Sequence, residues 1–151
     1  MFDRSSLAVA CLLVLEGCGG RLQRECRGVS ATANAFIAES GKVRPQPNAT
    51  PEETVKAELA TAVRYEKLAA DLERLKVESG ELLPEVTRYR TLAEHSAASL
   101  RAVAAALASG DFETARQKRI ELDREAHGEE PLVLKINEIC GTAPPPADAS
   151  L

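Results

Sequence analysis

The chain has 151 residues, 44% of them hydrophobic and 28% charged, with a formal net charge of -4. That length supports one domain with a real core, and the ordinary apolar and charged fractions exclude wholesale disorder. Trp is absent and the only rings besides two His are Phe2, Phe36, Phe112, Tyr65 and Tyr89, so the basic stripes and stacking platforms of a nucleic-acid binder are missing.

Residues Leu7 to Leu15 (LAVACLLVL) form an apolar run preceded by Arg4. The run is far shorter than the roughly 20 residues a membrane span needs. It has the length of a secretory h-region, about 7–15 residues. Leu15-Glu16-Gly17-Cys18 follows it. A hydrophobe three places before Cys, with Gly immediately before, resembles the lipobox of bacterial lipoproteins. The resemblance implies cleavage of residues 1–17 as a signal peptide. It also implies acyl chains on Cys18, which hold the protein to a membrane, and the Gly19 after Cys18 implies the outer membrane, facing the periplasm. Cys11 would leave almost no h-region if it were the acylated residue. A signal peptide cut elsewhere, or a buried N-terminal helix, are the alternatives.

With Cys11 removed and Cys18 acylated, Cys26 and Cys140 remain. An even remainder in an envelope protein reads as one disulfide, the alternative being two unrelated buried thiols.

Apolar spacing in residues 18–140 is helical throughout. The first segment carries Leu22, Cys26, Val29, Ala33 and Phe36 and ends near Ser40-Gly41. Pro45 and Pro47 in the linker Lys42 to Ala49 cannot continue a helix. The second helix opens with Thr50 as N-cap, Pro51 at the first helical position and Glu53 completing a capping box. Its apolar face holds Val55, Leu59, Ala62, Tyr65, Leu68, Leu72 and Leu75, with Gly80 as its stop.

The third helix carries Leu82, Val86, Tyr89, Ala93, Ser96, Leu100, Val103 and Leu107 in alternating steps of four and three, the seam of a bundle. Its alanines from Ala102 to Ala108 predict a close neighbour. Gly110 and Asp111 form the next stop and start. Residues Ala106 to Ala115 resemble the inter-helix turn of tetratricopeptide hairpins, which implies that Phe112 and Ala115 pack between helices. No 34-residue period accompanies the turn, so a solenoid fails. The fourth helix carries Phe112, Ala115, Leu122 and Ala126, is interrupted at His127-Gly128, and resumes after Pro131 with Leu132, Val133, Ile136 and Ile139. Residues 141–151 (GTAPPPADASL) form a disordered tail by composition.

The expected fold is all-α, an antiparallel up-down four-helix bundle with its last helix broken near Gly128-Pro131. Short connections favour antiparallel neighbours. In that order the start of the first helix and the end of the last share one end of the bundle, where Cys26 and Cys140 meet.

Catalytic and cofactor chemistry finds no footing. Neither His95 nor His127 belongs to a Glu-x-x-His pair, no CxxC, CxxCH or GxSxG occurs, and the single Met is Met1. The expectation is therefore no enzyme, no metal and no cofactor. Arg21, Arg24 and Arg27 follow the anchor, where they either touch anionic head groups or form a solvated first turn. Arg116, Lys118, Arg119 and Arg124 alternate with Glu113, Glu121, Asp123 and Glu125, which reads as a solvated face or as a docking face. The leading functional expectation is a lipid-anchored structural or interaction module with an envelope protein partner. The alternative is a binding protein for a small apolar or amphipathic ligand held within the bundle.

Overall fold

The computed structural model describes the backbone of residues 6–40 and 49–141, and side chains over 20–40 and 49–141. Residues 1–5 of the expected leader, the 41–48 linker and the tail from 142 onward lie outside the described residues, as does the Cys18 side chain. The fold is all-α: α1 (Ser6–Ser40), α2 (Pro51–Arg74), α3 (Leu82–Ala108), α4 (Phe112–Ala126) and α5 (Glu129–Ile139).

Each helix boundary has a local cause. Thr50 Oγ1 accepts from the Glu53 N–H at 3.2 Å while the Thr50 N–H donates to Glu53 Oε2 at 2.8 Å, closing the capping box at the start of α2. The turn from α3 to α4 is a Schellman motif. The Asp111 N–H reaches Ala106 O at 2.9 Å, the Gly110 N–H reaches Leu107 O at 3.1 Å, and Gly110 takes φ 77. Asp111 then caps α4 by accepting from the Thr114 N–H at 3.0 Å.

Two boundaries differ from the sequence reading. α2 stops at Arg74, not at Gly80, because Lys76 turns left-handed at φ 47 and the following segment is held by α1. The Glu25 carboxylate accepts the N–H groups of Glu78 and Ser79, both at 3.1 Å. Leu75 Cδ2 lies 3.1 Å from where a Cβ on Gly28 would sit, so a larger residue there would oblige the Leu75 side chain to shift by a few tenths of an ångström. The last break falls at His127-Gly128, and α5 resumes at Glu129 rather than after Pro131. Pro131 sits in the first turn, where its missing N–H has no intrahelical acceptor to lose.

Contacts between the helices fix an antiparallel order. Arg21 pairs with Glu78 and Glu39 with Lys67, so α1 runs against α2 and ends beside its middle. Glu73 pairs with Arg90 and Glu66 with Arg101, setting α2 against α3. α3 is the central element: α2 makes the most extensive contact with it, and α4 and α5 pack along it in turn. Its predicted seam is buried from Leu82 to Val103, with Leu107 half-buried. Ala97, Ala104 and Ala106 are buried as well, so small side chains let neighbours close on a second face.

The apolar core occupies the end nearest the disulfide. Cys26 and Val29 of α1, Leu68 and Leu72 of α2, Val77 of the connection between α2 and α3, Leu82, Val86 and Tyr89 of α3, and Ile136 of α5 form one cluster. At the other end the interior changes character. The positions in register with Tyr65, Leu68 and Leu72 are Thr54, Glu58 and Thr61. Glu58 is 4% exposed, whereas Leu59, expected in the core, is 38% exposed. α2 has passed the end of α1 there, and its inward face meets Arg119 of α4, which pairs with Glu58. Phe112 is likewise exposed, at 62%, so of the tetratricopeptide-like pair only Ala115 packs inward.

Candidate functional site

The disulfide pair is the first feature. Cys26 and Cys140 are bonded, with Cα atoms 5.6 Å apart and 114 residues between them in sequence. Cys26 belongs to α1, one face of which packs into the core, and Cys140 caps the end of α5.

The second feature was not visible in the sequence. Where α1 ends and α4 gives way to α5, Phe36, Tyr65, Tyr89 and Glu129 come together from four helices. The Phe36 and Tyr65 rings lie 4.8 Å apart between centroids and are tilted by 54°, within the 4.5–7 Å separation at which aromatic pairs attract. The Tyr89 hydroxyl donates to Glu129 Oε1 at 3.4 Å. Burial pushes the Glu129 carboxyl above the usual carboxylate range, only partly offset by the Tyr89 hydrogen bond. Burial also raises both phenols, and the nearby Glu129 charge raises them further. Among the described residues no Lys, Arg or His lies within ion-pair distance of Glu129. Glu125 Oε2, four residues earlier, is buried with no hydrogen-bond partner, as is Ser40 Oγ, one turn beyond Phe36.

The raised Glu129 pKa makes a pH prediction. The folded state holds this proton more tightly than the unfolded chain, so the ionisation cost is absent below the unfolded carboxyl pKa. It appears as pH rises towards the folded value and stays constant above it. Glu129→Gln keeps an acceptor for Tyr89 and removes the charge. It is expected to stabilise the protein at pH 7 on the order of 0.5 kcal/mol, the screened scale of a partly exposed charge. At pH 3 the variant and the parent are expected to melt together, which thermal unfolding at both pH values checks.

The remaining sequence candidates lie on the surface. His95 and His127 are exposed, and His127 Nδ1 contacts Asp123 O at 2.6 Å as part of the α4 C-cap. Arg116 pairs with Glu113 and Lys118 with Glu121, a solvated ladder, while Arg119 leaves the pattern to reach Glu58. Arg24 and Arg27 are exposed, and Arg21 is engaged by Glu78. A shallow groove of about 500 Å³ opens to solvent between α3 and α5, lined by Glu85, Arg88, Leu92, Pro131, Leu132 and Lys135. Among the described residues no three His, Cys, Asp or Glu side chains are grouped to hold a metal ion. No helix among them is long and apolar enough to cross a membrane.

Fold and site together define an all-helical bundle closed end to end by one disulfide. No protein-family model matches the chain, and neither a curated protein sequence nor a solved structure is significantly similar to it.

Proposed function

We propose that this protein is a lipid-anchored component of the bacterial cell envelope, attached through acyl chains on Cys18 and acting as a non-enzymatic structural or interaction module. The observation that carries the reading is the Cys26–Cys140 bond. Disulfides persist in oxidising compartments such as the periplasm, which agrees with the signal-like run at Leu7 to Leu15 and the lipobox-like Leu15-Glu16-Gly17-Cys18. Cys18 precedes Cys26 by eight residues on the same helix. Acyl chains at Cys18 would thus hold the disulfide end of the bundle at an outer-membrane surface and turn the opposite end into the periplasm. Multiple acyl chains give a stable anchor, at about 0.8 kcal/mol per buried CH₂. The interaction role is supported by apolar side chains left on the surface, Ile37, Val63 and Phe112 among them.

The test is fractionation of cells expressing the parent and Cys18→Ala. The parent is expected in the membrane pellet, released by detergent and not by high salt. The variant is expected either unprocessed or free of the acyl mass. Identical acyl-free behaviour of the two proteins would sink the anchor. Cross-linking in intact cells, compared with an unrelated lipoprotein, tests the interaction role.

A further inference from the structure

We propose that the groove between the start of α1 and the turn that ends α2 binds the phosphate of an anionic phospholipid head group. The proposal rests on the Cys18 anchor for its place at the membrane, and it adds a ligand that the anchor alone does not require. The groove, of about 360 Å³, is lined by Arg21, Arg24, Glu25, Leu75, Lys76 and Glu78. Its two acids are already matched. The Glu25 carboxylate accepts the N–H groups of Glu78 and Ser79, and Glu78 holds Arg21 at 2.8 Å. Arg24 and Lys76 are exposed, and neither has a carboxylate within ion-pair distance among the described residues. Two unmatched cations from different elements therefore line one opening, and Arg27, one turn further along α1, adds a third beside it.

Arg24 leans towards the anchor. Its Nη1 lies 3.4 Å from where a Cβ on Gly20 would sit, the direction long helical side chains take. Gly20 is two residues from Cys18, a rise of about 3 Å along the helix. Lys76 joins the groove because the chain turns left-handed there, at φ 47. Glycine suits that conformation best, so lysine brings a charge to the groove at some backbone cost. A lipid phosphate supplies the partner both cations lack: a guanidinium meets phosphate oxygens through paired N–H bonds, and an ammonium acts as a point charge. Near an anionic surface each such cation raises partitioning about fivefold. The effect fades beyond a Debye length of about 8 Å, and the guanidinium beside Gly20 sits well inside that distance of the anchored residue.

The experiment is cosedimentation of the oxidised, acyl-free chain from residue 18 onward, whose core cluster and disulfide lie within residues 22–140. It uses vesicles of phosphatidylcholine with and without phosphatidylglycerol, at low and at physiological salt. Sedimentation with the phosphatidylglycerol vesicles alone, weakened by salt, is expected. Arg24→Gln/Lys76→Gly should lower partitioning roughly twentyfold, with an unfolding midpoint no lower than the parent's, because glycine fits the left-handed turn. Arg116→Gln/Lys118→Gln removes the same charge from α4 and should leave partitioning unchanged. Equal sedimentation with both vesicles, or with neither, would overturn the proposal. So would a double variant at Arg24 and Lys76 that partitions like the parent, or saturable binding of inorganic phosphate by protein that ignores both vesicles. The anchor is judged separately: an acylated Cys18 in cells with no phosphatidylglycerol binding here removes the site and leaves the anchor. Binding here by a chain that carries no acyl mass in cells keeps the site and removes the anchor.

Discussion

Breaking the Cys26–Cys140 bond is expected to lower the unfolding free energy by about 4–5 kcal/mol, the chain-entropy value for a loop of roughly 100 residues. The bond spans 114 residues, nearly the whole helical body. It therefore restricts the unfolded ensemble about as much as one cross-link can. Native contacts point the same way: α5 packs along α3, and the bond ties the end of that hairpin to α1. Since small domains are stable by only about 5–15 kcal/mol, the loss is a large fraction of the total. Denaturant unfolding of the oxidised protein and of Cys26→Ala/Cys140→Ala checks it. A difference below about 1 kcal/mol would show that packing of Ile136 and Ile139, rather than the cross-link, holds α5.

The next largest effect is expected from Arg119→Ala. Glu58 is 4% exposed and its described partner is the Arg119 guanidinium. Removing one member of a buried pair strands the other charge, at about 3–5 kcal/mol when both are enclosed. The Arg119 side chain is 42% exposed, so water can reach its place, and a cost of about 2 kcal/mol is expected. The diagnostic is the double variant Glu58→Leu/Arg119→Ala, expected to recover most of the loss because no charge is then left behind. A double-mutant cycle with no coupling would mean that Glu58 is solvated without Arg119.

The same pair shows where the sequence stops being readable. The seam of α3 was legible because every buried position from Leu82 to Val103 except Ser96 is apolar, and a single period runs through them. The capping box of α2 and the Gly110 turn were legible because each depends on residues within one turn of chain. On α2, the apolar signal favoured Leu59 over Glu58. The structure buries Glu58 because Arg119 arrives from 61 residues away, and no local signal announces that. A clue lay in the register: Thr54, Glu58 and Thr61 continue the steps of Tyr65, Leu68 and Leu72 with polar residues.

The end of α2 at Arg74 was hidden for a similar reason. Gly80 is the stronger local stop, but Glu25 of another helix captures the N–H groups of Glu78 and Ser79. Glu129 carried no signal in the sequence, where the last helix was expected to resume only after Pro131. Its role beside Tyr65 and Tyr89 depends on where the His127-Gly128 break turns the chain. Sequence patterns fix a helix's buried face well when its neighbours are apolar, and poorly when a neighbour supplies the charge.

The most direct test of the account is non-reduced mass spectrometry of the protein recovered from the membrane fraction, read for its N-terminus and its thiols together. The account predicts a mature chain beginning at an acylated Cys18, with Cys26 linked to Cys140. A chain that begins at Met1, carries no acyl mass and has both thiols free would contradict it.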